Sequence, residues 1–371
     1  MSSTAKPSPP QQSALSAAAS RLSSLASHLN PLAPTHPAPY LPFDALPAVP
    51  NQPQGCTWGV WGADDEVGTL NLLTPAVVRA AKSEIVCGES IQLDWSLDNV
   101  EFPGFNRKKF EQKVVDLKDL GFSALDDEVY VNTQSGSQWD SLKHPTGMYY
   151  NGLSHETAAK TTKNGIHKWC ERGGIVGRGV LVDWLRWYEH KHGKPPSPVS
   201  RHEIPAAELE ETLKYQGTTT RPGDIMIFRS GYVRWHKYEE VHDPLTPKIL
   251  LTICNLSLAG PEERKRGTQD NSIAIGVQNN EATVRWLYDR HFAAVAGDTV
   301  AFEAWPPPLE SGWCLHEWLL VQWGTPIGEM WDLEKLSKKC EEEKRWTFFL
   351  TSAPLHVKGG VGSPPGAIAI F

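Results

Sequence analysis

The segment from Gln134 to His144 is the most informative stretch of this chain. It holds a carboxylate, an imidazole and two carboxamides around one glycine. On an extended strand alternate residues face the same side, so one surface would carry Gln134, Gly136, Gln138 and Asp140. Side-chain oxygens beside a histidine can hold a metal ion or a polar substrate. A polar strand edge that leads into a loop would show the same pattern, so a second motif is needed to decide.

Short apolar runs alternate with helical patterns along most of the remaining chain. The periodicity predicts strands over residues 90–98, 180–182, 225–228, 273–277 and 293–296. Helical patterns cover residues 205–215 and 280–288, the second with Asn280 as its cap. Thr74-Pro75 opens another helix, because Thr can cap it and Pro at the first helical position loses no needed N–H. Strands that alternate with helices predict an α/β fold with a mixed sheet.

Composition narrows the class of protein. The chain has 371 residues, of which 40% are hydrophobic and 21% charged, and these values are typical of a globular protein. No clean linker follows residue 50, which favours a single large domain. The net charge of −7 argues against nucleic acid as a partner, and no apolar run is long enough to span a membrane. Six scattered cysteines without a Cys-x-x-Cys pair indicate a reducing compartment, so the cytoplasm is expected.

The N-terminal residues differ from the rest in composition. Residues 1–54 are rich in Ser, Ala and Pro and contain no acidic residue before Asp44, so we expect an arm that does not fold alone, followed by a catalytic domain over 55–371. Leucines and alanines between Leu15 and Leu29 recur at helical spacing. Such a helix would fit either a transit peptide, with a mitochondrial location as the alternative, or a contact with a partner subunit.

A second motif lies near the end of the chain, where a largely apolar run separates His316 from Glu329. The two motifs together resemble the cyclase/arylformamidase family, the kynurenine formamidase-like metal-dependent hydrolases. That family carries the pattern His-x-Gly-Thr-His-x-Asp-x-Pro-x-His, and later a His followed by a Glu. Here Asp140 and His144 match the Asp and the last His of the pattern. His316 and Glu329 fit the C-terminal pair.

The chain also departs from the family pattern. Gln134 and Gln138 occupy the positions of the first two histidines, and Leu142 occupies the position of the proline. Further stretches agree with the longer family members: residues 61–75, 150–152, 174–183 and 223–231. The resemblance therefore covers about residues 55–365 and indicates a longer-chain subgroup with glutamine in place of the first two motif histidines.

The resemblance implies both an architecture and a reaction. The family fold is a mixed-sheet α/β fold of the β/β/α swivelling (cyclase-like) type in a single large domain. Its members are often homo-oligomers, so a homodimer or homotetramer is expected. The implied activity is hydrolysis of a small amide, formamide, lactam or lactone by metal-activated water with a histidine base, as in an arylformamidase.

The resemblance also implies roles for single residues. Asp140, His316 and Glu329 would hold one divalent ion, Mn²⁺ or Zn²⁺, with Gln138 as an auxiliary ligand. His144 would act as the general base and acid. A carboxamide oxygen is a harder and weaker ligand than an imidazole nitrogen, so the two glutamines favour Mn²⁺ or Mg²⁺ over Zn²⁺.

The expected partner is a small-molecule substrate, and the sequence holds 15 tryptophans that could wall a pocket for an aromatic one. The candidate substrate-binding residues are Gln134, Trp139, Tyr150 and Asn151. Three other histidines have no motif support for a metal role and are assigned to surface or loops: His155, His167 and His236.

Two other classes of function fit the same residues. The scaffold could support a non-hydrolytic cyclase, isomerase or dehydratase, in which the two glutamines bind substrate instead of metal. It could also belong to a catalytically silent binding protein for small molecules, because a fold does not determine its function.

Overall fold

The computed structural model describes residues 41–144, 147–237, 261–270 and 273–371. Within these ranges the strands are β1 (Ser90–Gln92), β2 (Glu111–Asp116), β3 (Leu125–Tyr130), β4 (Gln138–Asp140), β5 (Met148–Tyr149), β6 (Leu153–Ser154), β7 (Ile175–Val182), β8 (Glu203–Ile204), β9 (Ile225–Phe228), β10 (Gly276–Val277), β11 (Ala294–Gly297), β12 (Ile327–Glu329), β13 (Thr347–Ser352), β14 (Gly362–Ser363) and β15 (Ala367–Ile370).

Helices cover much of the sequence between the strands. They are α1 (Pro75–Ala81), α2 (His155–Lys160), α3 (His167–Glu171), α4 (Trp184–His192), α5 (Ala206–Tyr215), α6 (Tyr232–Lys237), α7 (Pro261–Lys265), α8 (Glu281–Asp289) and α9 (Glu334–Glu343). Short 3₁₀ and π-helical segments complete the structure, among them a π-helical segment over Glu317–Trp323. None of the helices in the described ranges is long and apolar enough to cross a membrane.

One large mixed sheet organises the domain. Its strand order is β1-β15-β13-β7-β9-β11-β12-β4-β14. The four central strands β7, β9, β11 and β12 run parallel to one another, and antiparallel strands extend the sheet on both sides. The prediction of an α/β fold with a mixed sheet in one large domain is therefore confirmed.

The central strands are buried because helices flank them. All four residues of β9 and all four of β11 are buried, as expected of parallel strands covered on both faces. The predicted helix caps are confirmed: the Asn280 side chain accepts from the Thr283 N–H at 2.8 Å, and the Thr74 hydroxyl accepts from the Val77 N–H at 3.3 Å. These caps begin α8 and α1 at the expected places.

Two predicted strands are shorter than the sequence pattern indicated. The alternation over 90–98 forms a strand only as far as Gln92, because the chain then leaves the sheet and the Trp95 N–H donates to the Ser137 hydroxyl at 2.8 Å. The apolar run over 273–277 forms a strand only at Gly276 and Val277, which pair with the short β8, while Ala274 makes an isolated bridge to Trp305. Both differences arise from tertiary contacts that the alternation does not encode.

The domain begins earlier than the composition indicated. The compact unit starts at Leu41, and Phe43 and Leu46 are each 4% exposed in the main core. The Phe43 ring packs against Tyr288 and Trp318, with centroid distances of 5.4 and 5.7 Å. The boundary at residue 54 was therefore wrong, because a few large apolar side chains bind residues 41–54 to the domain. Residues 1–40 lie outside the described residues.

Strands β2 and β3 form a separate hairpin that is almost entirely exposed. Its exposed apolar side chains include Val114, Leu120, Phe122, Leu125 and Val129. In the sequence, the hairpin lies between Arg107 and Gln134, and a hydrogen bond from the Arg107 side chain to the Gln134 carbonyl joins these two residues. It therefore starts and ends close to the first motif.

Candidate metal centre

The pairing of β4 with β12 brings the two sequence motifs together. The strands are antiparallel, with Gln138 opposite Glu329. Asp140 lies two residues along β4 and therefore faces the same side as Gln138. The register thus places Gln138, Asp140 and Glu329 on one face, although the two motifs are far apart in sequence.

His316 joins this face from the segment before β12. It directly precedes the π-helical segment Glu317–Trp323, which ends at Gly324 with a φ of 66°. The imidazole Nε2 lies 3.0 Å from Glu329 Oε1 and 3.8 Å from Asp140 Oδ2. One potential ligand atom from each of Asp140, His316 and Glu329 lies within 4.8 Å of the others, and all three residues are buried. Ligand atoms at 2.0–2.6 Å from an ion lie up to about 5 Å apart, so the spacing suits a metal ion.

Unsatisfied polar atoms support the same interpretation. Asp140 Oδ2 and Gln138 Oε1 are buried and have no hydrogen-bond partner within the described residues. Buried oxygen atoms are normally satisfied, and a bound ion is one of the recognised explanations for an exception. Asp140 Oδ2 belongs to the Asp140–His316–Glu329 cluster, and Gln138 is bonded to Glu329 through its Nε2, so the residues present fit a divalent ion.

Electrostatics in the cluster depend on burial and on three acidic groups. Burial by itself would lower the pKa of His316, but hydrogen bonds to Glu303 and Glu329 hold that pKa well above its ordinary value. Burial raises the pKa of Glu329, and the nearby Asp140 carboxylate raises it further. A proton on His316 therefore offsets negative charge of the acidic groups around it. A bound metal ion would offset the same charge. Metal binding must release such protons, because the ligand is the neutral imidazole.

Glu303 is a part of the centre that sequence reasoning missed. Its carboxylate is fully buried and accepts from His316 Nδ1 at 2.7 Å, and also from the backbone N–H groups of Leu315 and His316. A carboxylate on the second ring nitrogen fixes the tautomer and orientation of a metal-binding histidine. The available signal was an acidic residue inside the apolar run 300–304, since unpaired carboxylates are almost never fully buried.

The two glutamines of the first motif donate hydrogen bonds to carboxylates of the cluster. Gln138 donates its side-chain N–H to Glu329 Oε2. Gln134 donates to Asp140 Oδ1 at 2.6 Å, and its Nε2 lies 3.5 Å from His144 Nδ1. The rings of His144 and His316 are 6.2 Å apart, centroid to centroid. Gln134, Gln138 and His144 thus converge with the three possible metal ligands.

The structure does not bring the other predicted substrate-binding residues to the cluster. Trp139 points to the opposite face of β4, is fully buried, and donates from Nε1 to the Ser352 hydroxyl at 2.9 Å. Tyr150 is also fully buried, and its hydroxyl donates to Asp65 at 3.0 Å. Asn151 donates to the backbone oxygens of Gly62 and Asp65. Substrate contact by these three residues stays a prediction. In the structure, all three side chains make hydrogen bonds to other parts of the protein.

Two of the three histidines assigned to surface or loops are buried instead. His167 is 2% exposed, and its Nδ1 accepts the Gly359 N–H at 3.1 Å. His236 is 7% exposed in α6 and packs against Trp95. His155 is exposed, as expected. The assignment of His167 and His236 was wrong because an imidazole packs well once tertiary contacts surround it.

Comparisons with known proteins agree with this architecture. The model of the cyclase family, described as "Putative cyclase", matches residues 44–304, and the chain therefore belongs to that family. A comparison with curated proteins found no significant match.

Solved structures show the same fold. A crystal structure described as a novel cyclase is 29% identical, with a TM-score of 0.66 over 85% of this chain and 99% of the other. An isatin hydrolase bound to the product analogue thioisatinate is 14% identical, with a TM-score of 0.50 over 81% and 98%.

Proposed function

We propose that this protein hydrolyses the C–N or C–O bond of a small amide, formamide, lactam or lactone, with one divalent metal ion held by Asp140, His316 and Glu329. The observation that carries the proposal is the buried three-residue cluster with an unsatisfied Asp140 oxygen. The chain belongs to the cyclase family, and its fold is similar to that of a solved isatin hydrolase; both findings support a hydrolytic reaction.

The proposed ion is Mn²⁺ or Zn²⁺. When bound, it would supply Lewis acidity and lower the pKa of a coordinated water to about 7. Two carboxylates and one imidazole suit either ion, and the oxygen atoms of Gln138 and Asp140 that lack partners favour the harder Mn²⁺. Glu303 would keep Nε2 of His316 directed at the ion through its bond to Nδ1.

His144 is the proposed general base and acid. It is half-buried beside the cluster, and burial lowers the pKa of its imidazole, although the Asp140 carboxylate opposes that effect. A neutral imidazole near pH 7 can take the proton of the attacking water and return it to the leaving nitrogen or oxygen. Gln134 lies between His144 and Asp140 and would fix their relative positions.

The test combines metal analysis with turnover. Purified protein would be exhaustively chelated, reloaded separately with Mn²⁺ and Zn²⁺, and screened on formyl-aromatic amides, isatin and related lactams, and lactones. Asp140→Ala should lose both metal and turnover, because a lost ligand removes the activated water. His144→Ala should keep its metal and lose roughly 10²–10⁴-fold in kcat, the usual size of an acid/base contribution.

A metal-independent cyclase, isomerase or dehydratase is the second candidate. One observation favours it: Gln138 and His316 already satisfy the Glu329 carboxylate without an ion. Full turnover in chelated protein would support this candidate and contradict metal-dependent hydrolysis. If the protein binds these compounds but turns none over in any metal form, the silent binding protein becomes the best description.

We also propose that the chain assembles as a homodimer or homotetramer in the cytoplasm. Two observations support this: the exposed apolar side chains of the β2–β3 hairpin, and the free thiols of the cysteines that the structure describes. Light scattering after size-exclusion chromatography would measure the mass of the assembly. A monomer at micromolar concentration would contradict the proposal.

A further inference from the structure

The β2–β3 hairpin forms a two-stranded sheet of its own. Among the strands that the structure describes, β2 pairs with β3 alone, and every residue of the two strands except Val115 is exposed. One face carries Val114, Leu125 and Val129, whose side chains are 56–68% exposed. An isolated hairpin is at best marginally stable in water, and a further strand or a packing partner stabilises it. A strand added at one of the two edges would meet this need.

Charge distinguishes the two edges of the hairpin. Strand β3 contains three consecutive acidic residues, Asp126, Asp127 and Glu128, and no basic residue. A second copy of β3 along this edge would bring acidic side chains opposite or diagonal to one another, which is destabilising. Charged residues on an edge strand are a common protection against edge-to-edge pairing. The edge of β2 therefore remains as the one that can accept another strand.

The residues along β2 alternate in charge. From Lys108 to Asp116 the sequence is Lys-Lys-Phe-Glu-Gln-Lys-Val-Val-Asp. Successive residues of a strand turn their N–H and C=O groups to opposite edges, so residues that pair across an antiparallel ladder must share the same orientation. Two copies of β2 related by a two-fold axis must therefore place one residue opposite its own copy. The choice of that residue fixes every other pair.

A two-fold axis at Gln112 gives complementary charges. It places Glu111 opposite Lys113 of the partner subunit, and the symmetry repeats this pair on the other side of the axis. An axis at Glu111 or at Lys113 would instead place that charge opposite its own copy. Opposite charges across a ladder are stabilising and like charges are destabilising. Charge therefore favours the axis at Gln112 over its two neighbours.

The pairs further from the axis are complementary as well. If β2 extends back to Lys108, that lysine lies opposite Asp116 of the partner subunit. Phe110 then lies opposite Val114 of the partner subunit, and pairs of an aromatic and a β-branched residue stabilise antiparallel sheets. The same register thus matches both the charged and the apolar residues of the strand.

Ion pairs within the hairpin do not prevent this arrangement. Lys108 Nζ lies 2.8 Å from Glu111 Oε2, and Lys113 Nζ lies 3.2 Å from Glu128 Oε2. The four side chains are 48–71% exposed, and ion pairs so exposed contribute little to stability. Glu111 and Lys113 can therefore exchange these contacts for contacts with a partner strand at small cost.

We propose that a second copy of this chain binds antiparallel to the free edge of β2, with the two-fold axis at Gln112, and so forms a four-stranded sheet between the subunits. The contact is isologous and leaves the acidic β3 edges on the outside, so the sheet ends at four strands. The inference rests on the homo-oligomer proposed above and specifies its interface. It is independent of the metal and of the reaction.

Charge reversal tests the interface. Sedimentation of the full-length protein over a dilution series measures the dissociation constant of the dimer. Glu111→Lys and Lys113→Glu each place like charges opposite one another twice, so each should raise that constant at least about tenfold. The double variant Glu111→Lys/Lys113→Glu exchanges the two charges and should recover most of the wild-type affinity. If the assembly is a tetramer, the single variants should dissociate to dimers.

Mixing the two single variants provides a second, independent measurement. One chain then carries two acidic residues at positions 111 and 113 and the other two basic ones, so every pair across the axis is again of opposite charge. An equimolar mixture should form a heterodimer at concentrations where each variant alone dissociates. Equal melting temperatures would show that the variants are folded.

Lys160→Glu is the matched control. Lys160 lies on α2, its side chain is 71% exposed like that of Lys113, and it too forms an ion pair, with Glu156. The substitution makes the same change in net charge and should leave the dissociation constant unchanged. A similar weakening in Lys160→Glu would overturn the inference, because net charge alone would then explain the effect.

The remaining outcomes separate the inference from the earlier proposals. Unchanged association in both single variants would overturn the β2 interface and leave the proposed homo-oligomer to another surface. Weakening without recovery, in the double variant or in the mixture, would overturn the pairing at Gln112. A monomeric wild type would overturn both the interface and the assembly. None of these measurements uses turnover, so they do not depend on the hydrolase proposal.

Discussion

Gln134 and Gln138 each donate a side-chain N–H to a carboxylate of the candidate centre. The family resemblance places imidazoles at these positions, where they would supply ligand nitrogens. A carboxamide instead supplies a hydrogen-bond donor together with a weaker oxygen ligand. At the scale of single residues, the two glutamines therefore hold Asp140 and Glu329 in place through hydrogen bonds.

Restoring the histidines should change the metal content. We expect the double variant Gln134→His/Gln138→His to bind towards two ions per chain, because both side chains already reach ligand carboxylates. Elemental analysis after dialysis against Mn²⁺ or Zn²⁺ measures the stoichiometry. Gln112→His, on the exposed hairpin, controls for adventitious binding by an added imidazole. An unchanged stoichiometry of one would contradict the prediction.

At the scale of elements, the centre is assembled by two short strands and a loop. Strands β4 and β12 supply Gln138, Asp140 and Glu329 through their register. The chain between β11 and the π-helical segment supplies both His316 and the buried Glu303 that bonds to it. Each element alone holds too few ligands for an ion, so the sheet and the loop must fold together before the site exists.

Glu303→Gln tests the contribution of that loop. A carboxamide keeps the shape of the side chain but binds the imidazole Nδ1–H more weakly, so Mn²⁺ affinity should fall roughly 10–100-fold. Calorimetric titration of chelated protein measures the affinity without relying on activity. Glu317→Gln is the matched control, because Glu317 is exposed beside His316 and should leave the affinity unchanged. Wild-type affinity in Glu303→Gln would assign Glu303 a purely structural role.

His236, in helix α6, should make the free energy of unfolding dependent on pH. Burial lowers the pKa of His236 to about 3, with a further contribution from Arg264. The unfolded chain takes up this proton near pH 6.5 and the folded protein does not, so stability is complete above that pH and is lost as the pH falls towards 3. At pH 5 the loss from this residue should be about 2 kcal/mol.

Urea unfolding of wild type and His236→Phe at pH 7 and pH 5 measures this effect. The variant should lose about 2 kcal/mol less on acidification, because it has no imidazole to protonate. His190→Phe, at an exposed position of α4, should behave as the wild type does. Identical losses in wild type and His236→Phe would contradict the assignment.

At the scale of the whole molecule, a short N-terminal segment completes the core. Phe43 packs on Tyr288 and Trp318, which belong to distant parts of the chain. Gly55, with a φ of 101°, permits this packing, since a Cβ there would lie 2.2 Å from the Phe43 ring. A residue far from the candidate metal ligands in sequence thus stabilises the domain that contains them.

Phe43→Ala should therefore destabilise the protein by about 3–5 kcal/mol, the usual cost of removing a buried aromatic side chain. Denaturant unfolding measures the change in free energy. Truncation before residue 41 is the informative comparison, because the composition of residues 1–40 predicts little effect on stability or turnover. A large loss on truncation would contradict the prediction of an independent arm, and a small loss in Phe43→Ala would contradict the packing argument.

The fold class and the three possible metal ligands could be predicted from the sequence. Alternating strand and helix patterns predicted the mixed α/β sheet, because apolar periodicity reports directly which faces are buried. The caps at Thr74 and Asn280 were predictable because capping is a local interaction. Asp140, His316 and Glu329 were identified because a metal-binding motif fixes residue type and spacing together.

Only the tertiary structure decided the rest. Glu303 reaches His316, and Phe43 enters the core, through contacts whose partners lie on other elements, and no local pattern encodes such partners. The alternation that places Gln138 and Asp140 on one surface already directs Trp139 to the other, and only the structure shows that this other face is buried, with Trp139 bonded to Ser352.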